Sequence, residues 1–230
     1  EHEGMDRTSI ALPGAQAAMV AAVAAAVDRT KVPLICVLVH GGVMDIDPLL
    51  ASCDSILDAY YPGVYGAQAI AETVFGRNTP GGKVPFTYLR ANYTARVSMD
   101  DFAMRTPPGR TYRYIDPDDA DIIFPFGHGL SYTTFTTAWS GGGERSQPKR
   151  LDNGDVSASV AFTVDVRNTG ATYTGRETVS AYVRPAATKV ARRRDGAAAP
   201  TMMSLQRKLF AFAKVGPLRP GETARATLTL

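Results

Sequence analysis

The stretch PLICVLVH, from Pro33 to His40, decides the fold of the first half of the chain. It is a short, continuous apolar run rich in β-branched residues, which is typical of a parallel strand covered on both faces. Gly41-Gly42 ends the run, and a short helical pattern follows at Asp47 to Ser52. The next run, SILDAY from Ser55 to Tyr60, predicts a second strand.

Helical patterns flank these two strands. Apolar residues recur at helical intervals between residues 13 and 29, and the Ala-rich part, residues 15–27, is expected to be a buried helix. AQAIAETVFG, residues 67–76, reads as an amphipathic helix closed by a glycine. The order helix, strand, helix, strand, helix predicts an α/β sheet with right-handed crossovers. Ligands gather at the carboxyl ends of such strands, so Gly41-Gly42 and Tyr61-Pro62-Gly63 are the loops of interest.

The chain becomes irregular after residue 89 and stays so to about residue 121. PGGKVPFTYL, residues 80–89, predicts a turn leading into a strand, and GRTYRYI, residues 109–115, predicts a short strand. FPFGHGLSYTTF, residues 124–135, places aromatic residues around two glycines, as expected where the backbone must pass close to another group. So long an irregular stretch in a compact protein is usually functional or wraps another domain.

A second domain is predicted after GGGERSQPKR, residues 141–150, which reads as a linker. Beyond it the hydrophobic period changes to two. Four alternating runs, at residues 156–170, 177–185, 207–215 and 224–230, are separated by turn signals and predict a β-sandwich. The predicted domains are therefore residues 1–140, of α/β type, and residues 151–230, of all-β type.

Composition excludes several classes of protein. Of the 230 residues, 45% are apolar and 20% are charged, so a sizeable core can form. The net charge of +3 is too small to indicate nucleic-acid binding, and the run Arg192 to Arg194 lacks the aromatic residues of such a surface. No apolar stretch is long enough to predict a membrane span.

The residue pattern does not predict a cofactor or a metal site. His2, His40 and His128 lack metal-ligand spacing, and the glycines lack a dinucleotide-binding fingerprint. Cys36 and Cys53 lie in apolar surroundings, which favours buried thiols over a disulfide or a metal site.

The segment EHEGMDRTSIALPG, from Glu1 to Gly14, carries the candidate chemistry. Two carboxylates precede a glycine and an Asp-Arg pair, immediately before a predicted helix. Such a cluster suits a loop displayed over a pocket, although two acids near a terminus also fit a solvated surface. Asp6 and Arg7 could contact a ligand directly, but they also have a purely structural interpretation. An adjacent acid and base before a helix can pair with loop groups or favour the helix end.

The motifs EHEGMDR, LPG, YPG, NTPGGKVPFTY, GRTYRY and FPFGHGLSYT resemble, in this order, the later part of glycoside hydrolase family 3 enzymes. The likeness is greatest to the β-xylosidase branch. VRNTG, FAKV and LRPGET in the tail resemble the fibronectin type III-like domain that closes many of these enzymes. The resemblance covers nearly the whole chain.

The resemblance implies a fold and an activity. It implies the end of an αβα sandwich followed by an immunoglobulin/fibronectin III-like sandwich, from a retaining hydrolase that removes terminal non-reducing sugar units. Nothing in this chain resembles the N-terminal barrel that carries the nucleophilic aspartate, so the chain looks like a C-terminal fragment or a processed chain. The resemblance implies that no cofactor is needed. It also implies that the protein is secreted or lies in a lytic compartment, such as a vacuole or lysosome.

The resemblance also implies one catalytic residue. Retaining enzymes use two carboxyl groups about 5–5.5 Å apart, one as nucleophile and one as general acid/base. The family's acid/base glutamate precedes the Asp-Arg pair, and Glu3 matches it, with Glu1 as the rival. Sugar choice belongs mostly to the absent barrel, so β-xylosidase, β-glucosidase and α-L-arabinofuranosidase activities stay open, as does a non-catalytic carbohydrate- or partner-binding module. The expected partners are a glycoside substrate and the barrel portion of the same enzyme. Without the barrel the chain is expected to be inactive and to fold poorly, because a partial sheet leaves an open edge.

Overall fold

The computed structural model describes residue 4 and residues 7–140, 161–184 and 202–230 of the chain. These residues form two compact units. The first, called the α/β unit, contains residues 4, 7–74, 84–128 and 202–206, and the second, called the β unit, contains residues 75–83, 129–140, 161–184 and 207–230. The predicted linker at residues 141–150 lies outside the described residues, and the predicted division into residues 1–140 and 151–230 stays a prediction.

Two parallel strands organise the α/β unit. Strand β1, Ile35–Leu38, pairs in parallel with β2, Ser55–Asp58, and Leu38 lies opposite Asp58. Helix α1, Gln16–Ala26, precedes β1, helix α2, Asp47–Ser52, connects the strands, and helix α3, Gly66–Val74, follows β2. The predicted order of helices and strands is confirmed, and the parallel pairing brings the carboxyl ends of β1 and β2 side by side.

One side of β1 is left uncovered by the described residues. Ile35, Val37 and Val39, at alternate positions, are 39%, 40% and 58% exposed. Helix α1 has no buried residue, and its Met19 is 59% exposed. The predictions of a strand covered on both faces and of a buried helix at residues 15–27 are therefore wrong for the described residues, because these contain no layer that packs over that side.

The core of the α/β unit contains a disulfide bond. Its buried apolar cluster consists of Leu38, Met44, Ile46, Leu49, Cys53 and Tyr88. Cys53 is bonded to Cys36 of β1, with Cα atoms 6.1 Å apart. The prediction of two buried thiols is wrong because the end of α2 returns to β1 at a Cα separation that a disulfide can span.

Short elements complete the α/β unit. Strand β3, Tyr88–Leu89, pairs antiparallel with β4, Ile122–Phe124, and helix α4, Asn92–Arg96, lies between them in sequence. The strand predicted at residues 109–115 is wrong, because Thr111–Tyr114 form a helical turn, α5. The N–H of Ile115 donates to the Thr111 carbonyl at 3.0 Å, so the segment satisfies its backbone locally instead of in a sheet.

The β unit consists of two antiparallel sheets around one core. Strands β5, Phe135–Trp139, β6, Ala161–Asn168, and β9, Thr223–Thr229, form one sheet in the order β5-β6-β9, and β7, Gly175–Val183, pairs with β8, Lys208–Leu218. Both sheets contribute to a single buried cluster of Val164, Val166, Val215, Leu218, Ala226 and Leu228. The four strands predicted from period-two alternation are confirmed, while β5 was not predicted as a separate strand.

Candidate functional site

Three polar side chains meet at the carboxyl ends of β1 and β2. His40 follows β1, Asp58 ends β2, and Tyr88 comes from β3. The Nε2 atom of His40 lies 2.9 Å from Oδ1 of Asp58, and the Tyr88 hydroxyl donates to Oδ2 of the same carboxylate at 2.7 Å. His40 is 7% exposed and Tyr88 2% exposed, so this His40–Asp58–Tyr88 network lies largely out of water.

Aromatic rings surround the network. The ring centroid of His40 lies 5.3 Å from that of Tyr60 and 6.4 Å from that of Phe86. Burial, followed by the charge of Asp58, raises the pKa of Tyr60 well above its usual range. Burial and the hydrogen bond to Asp58 raise the pKa of Tyr88 in the same way. Both phenols therefore stay protonated at neutral pH, and Tyr88 donates its proton to Asp58.

The Gly41-Gly42 turn lies directly above the network. The Nδ1 atom of His40 is 2.7 Å from the Gly42 carbonyl oxygen, and the backbone N–H of His40 donates to the Tyr60 carbonyl at 3.2 Å. The ring of Tyr61 packs on Gly41 so closely that a Cβ at this glycine would collide with it. The turn thus supports an aromatic ring that is itself 77% exposed, and a glycine is needed at position 41 for this contact.

An open groove of 770 Å³ runs along the uncovered side of β1 and reaches this turn. Its apolar lining includes Met19, Val20 and Val23 of α1, Ile35 and Val37 of β1, and Val39, which follows β1. Arg7, Tyr61 and the Gly41-Gly42 turn also line it. Exposed apolar surfaces of this kind are typical of contacts with another protein segment.

The predicted catalytic residues Glu3 and Glu1 lie outside the described residues, as does Asp6, so the assignment of Glu3 stays a prediction. Gly4, which follows Glu3, has a φ of 78°, a left-handed conformation that favours glycine. Further along, the Ile10 carbonyl accepts a hydrogen bond of 2.7 Å from the N–H of Asp45. The residues that follow the acidic segment, Glu1 to Arg7, are therefore bonded at Ile10 to the loop that follows β1.

Sequence reasoning identified the loops of this edge but not the side chains beneath them. Gly41-Gly42 and Tyr61-Pro62-Gly63 were selected because they follow strands, and the structure places Gly41 against Tyr61. His40, Asp58 and Tyr88 were not selected as site residues. A usable signal was present, because His40 and Asp58 are polar residues at the ends of two strands predicted to be parallel neighbours.

Two other residues from the family-like motifs pack as structural side chains. Tyr112 stacks on Phe126 with ring centroids 4.2 Å apart, and His128 stacks on Phe124 at 4.4 Å. Among the described residues, no group of three or more His, Cys, Asp or Glu side chains is placed to hold a metal ion. No helix in the described part of the chain is long and apolar enough to cross a membrane.

Comparison with known proteins identifies the family. Residues 1–132 match the glycosyl hydrolase family 3 C-terminal domain. The chain is 45% identical over 144 residues to beta-D-xylosidase 1 of Arabidopsis thaliana, covering 59% of this chain and 17% of that protein. It is 38% identical over 182 residues to a xylan 1,4-beta-xylosidase of Xylanibacter ruminicola, covering 79% of this chain and 19% of that protein. The chain thus spans less than a fifth of the length of these two relatives.

Solved structures agree with this match. A β-glucosidase of Kluyveromyces marxianus superposes with a TM-score of 0.73 and 26% identity, covering 99% of this chain and 24% of that chain. A GH3 exo-β-xylosidase in complex with a xylobiose aziridine activity-based probe superposes with a TM-score of 0.72 and 22% identity, covering 97% of this chain and 29% of that chain; at this identity the likeness shows the fold. Because the family model matches residues 1–132, more than half of the 230 residues, the chain belongs to glycosyl hydrolase family 3.

Proposed function

We propose that this chain is the C-terminal portion of a retaining, exo-acting glycoside hydrolase of β-xylosidase or β-glucosidase type. It would act on terminal non-reducing sugar units of oligosaccharides or glycosides. The observation that carries the proposal is the family match over residues 1–132, which includes the acidic segment at Glu1 to Arg7. The names of the relatives, both β-xylosidases, favour xylosides as substrates.

The proposed catalytic role of this chain is general acid/base catalysis by Glu3, with Glu1 as the rival residue. The nucleophilic carboxylate would lie on the N-terminal barrel portion of the enzyme. Glu3 would protonate the departing glycosidic oxygen and then deprotonate the water that releases the sugar from the nucleophile. A glutamate performs both steps best when its pKa is raised by desolvation, which a covering barrel would provide.

In this proposal the α/β unit is the end of an αβα sandwich and the β unit is a fibronectin type III-like domain. The missing part of the sandwich would cover Ile35 and Val37 of β1 and the adjacent Val39. The exposure of these apolar residues supports the N-terminal portion of the same enzyme as the partner. The Cys36–Cys53 disulfide supports secretion or a lytic compartment as location, since disulfides persist in oxidising environments.

The test measures hydrolysis of chromogenic xylosides, glucosides and arabinofuranosides. We expect no turnover by the 230-residue chain alone and turnover when it is combined with a chain that carries the barrel. In that assembly Glu3→Gln should lower kcat on a poorly activated xyloside by about 100- to 10,000-fold, because proton transfer to the leaving group is lost.

Glu1→Gln is the matched control, and its kcat should stay within about threefold of that of the unsubstituted enzyme. General acid/base catalysis supplies its roughly 100-fold or larger effect through one positioned group, which is proposed to be Glu3. If Glu1→Gln shows the large loss instead, Glu1 is the acid/base. If arabinofuranosides are hydrolysed faster than xylosides, the enzyme is an arabinofuranosidase and the proposed xyloside specificity is wrong. Full turnover in both variants would leave a non-catalytic module as the role of this chain.

A further inference from the structure

Both ring nitrogens of His40 face oxygen atoms that accept hydrogen bonds. Nδ1 lies 2.7 Å from the carbonyl oxygen of Gly42, and Nε2 lies 2.9 Å from Oδ1 of Asp58. A carbonyl oxygen has no proton to give, and neither has an ionised carboxylate. A neutral imidazole carries one N–H and so satisfies one of these oxygens, while its other nitrogen would place a lone pair against the second. Only an imidazolium satisfies both.

The Tyr88 hydroxyl does not resolve this conflict. It lies 2.7 Å from Oδ2 of Asp58 and 3.2 Å from Nε2 of His40, and its single proton is used in the shorter contact. Within the described residues, the titratable side chains packed against the imidazole are Asp58 and Tyr60, from β2 and the residues after it, and Tyr88 from β3. Asp58 is the carboxylic acid among these three, and its Oδ1 faces Nε2.

We propose that His40 is held as an imidazolium against the Asp58 carboxylate and acts as a positioning residue for the Gly41-Gly42 turn. The side chains of this ion pair are 6% and 16% exposed. A paired charge at such a depth is held in one geometry, because breaking the pair would leave an uncompensated charge away from water. The Nδ1–H then fixes the Gly42 carbonyl, and the turn carries the Tyr61 ring on Gly41.

The link to catalysis rests on the proposed function. Arg7, four residues after Glu3, lines the same groove as the turn and Tyr61. The hydrogen bond from Asp45 to Ile10 ties the continuation of the acidic segment to the loop that begins with this turn. A turn held by His40 therefore supports the loop that bonds Ile10, seven residues after the proposed acid/base residue. A displacement of about 1 Å in a support of a catalytic group costs on the order of 100-fold in rate.

Asp58→Asn separates an imidazolium from a neutral histidine. An asparagine amide donates to Nε2 of a neutral imidazole, and its oxygen still accepts from Tyr88. The contacts with His40 and Tyr88 are therefore kept with a ring that carries one proton fewer, and only the long contact from the Tyr60 N–H to Oδ1, at 3.4 Å, is lost. His40→Gln, in contrast, cannot donate to both Gly42 and Asp58 in the geometry of the ring. His128→Gln is the control, because His128 stacks on Phe124 outside the network.

The first measurement counts ring protons by ¹⁵N NMR at pH 7 on the histidine-labelled chain combined with an unlabelled barrel-carrying chain. The chain has only three histidines, so single variants assign the signals. We expect two ring N–H groups on His40 in the native chain and one, on Nδ1, in Asp58→Asn. A single ring N–H in the native chain, or two in Asp58→Asn, would overturn the proposal.

The second measurement is turnover of a chromogenic xyloside by the same assemblies. His40→Gln should lower kcat by about 10- to 100-fold with KM within about threefold, whereas the control His128→Gln should retain kcat within about threefold. An unchanged kcat in His40→Gln would refute its positioning role. Glu3→Gln, measured alongside, tests the proposed function separately, and the NMR result does not depend on it.

Discussion

Asn168→Asp is expected to unfold the β unit at neutral pH. Asn168 is completely buried at the end of β6. Its amide nitrogen donates to the carbonyl oxygens of Tyr173 and Leu218, each at 2.9 Å, and its side-chain oxygen accepts from the Thr133 hydroxyl at 2.6 Å and from the Gly170 N–H at 3.0 Å. All four hydrogen-bonding positions of the amide are therefore filled from within the unit.

An aspartate at this position replaces the two N–H donors with an ionised oxygen that faces two carbonyl oxygens. The change leaves these carbonyls unsatisfied and buries a charge with no cation beside it, which together cost about 4 kcal/mol or more. Small domains have only about 5–15 kcal/mol of unfolding free energy in total. We expect the loss to bring the β unit close to or below its unfolding threshold at pH 7.

Trp139 makes the measurement direct, because it is the only tryptophan of the chain and lies in β5, opposite Val164 of β6. Its fluorescence during denaturant unfolding follows the β unit. Arg167→Gln is the matched control, since Arg167 is the exposed neighbour on the same strand, and its midpoint should be nearly unchanged. A midpoint for Asn168→Asp equal to that of the control would show that the amide network contributes little. Burial raises the pKa of the new carboxyl above its unfolded value, so the defect should lessen as the pH falls and be smallest below about pH 4, where the carboxyl is protonated in both states.

Asn168 illustrates what the sequence does and does not predict. Period-two alternation located β6 through β9, because burial of every second side chain leaves a direct trace in the order of residues. The fully hydrogen-bonded amide of Asn168 leaves no such trace in the sequence. Its partners come from three other segments, up to 50 residues away along the chain. VRNTG contributed to the family resemblance, but the resemblance gave no role for its asparagine.

The same distinction applies to the α/β unit. The continuous apolar runs identified β1 and β2, and their predicted parallel pairing is confirmed by the register from Ile35 and Ser55 onward. The His40–Asp58–Tyr88 network joins residues 18 and 30 positions apart in two of its contacts, so it depends on the sheet having formed. The sequence did not predict the Cys36–Cys53 disulfide because buried thiols and buried disulfides both occur in apolar surroundings, and only the folded chain shows that the two residues are close. The helical turn α5 was missed because GRTYRY alternates like a strand.

Val37→Asp is expected to abolish assembly of this chain with the barrel-carrying portion of the enzyme. Val37 lies on the uncovered side of β1, between Ile35 and Val39, and lines the apolar groove. If the remainder of the sandwich packs here, the substitution buries an unpaired carboxylate at the contact, at a cost of about 4 kcal/mol. That cost corresponds to about a thousandfold weaker association, and turnover of a xyloside at micromolar chain concentrations should be lost with it.

In the isolated chain, Val37→Asp should reduce self-association, whereas in the assembled enzyme it disrupts the contact with the partner. Exposed apolar strand and helix faces favour self-association, so we expect the unsubstituted chain alone to associate and Val37→Asp to raise its monomeric fraction in analytical ultracentrifugation. A sharp, cooperative melt of the monomeric unsubstituted chain would contradict the need for a covering partner.

Val64→Asp separates a specific contact from a general effect of charge. Val64 is 96% exposed in the same unit and is not among the residues that line the groove. A charge there stays in water, so assembly and turnover should be retained and the association of the isolated chain should change little. Equal loss of assembly in both variants would place the contact elsewhere on the unit, whereas loss confined to Val37→Asp means that the side of β1 left open by this chain is the surface its partner covers.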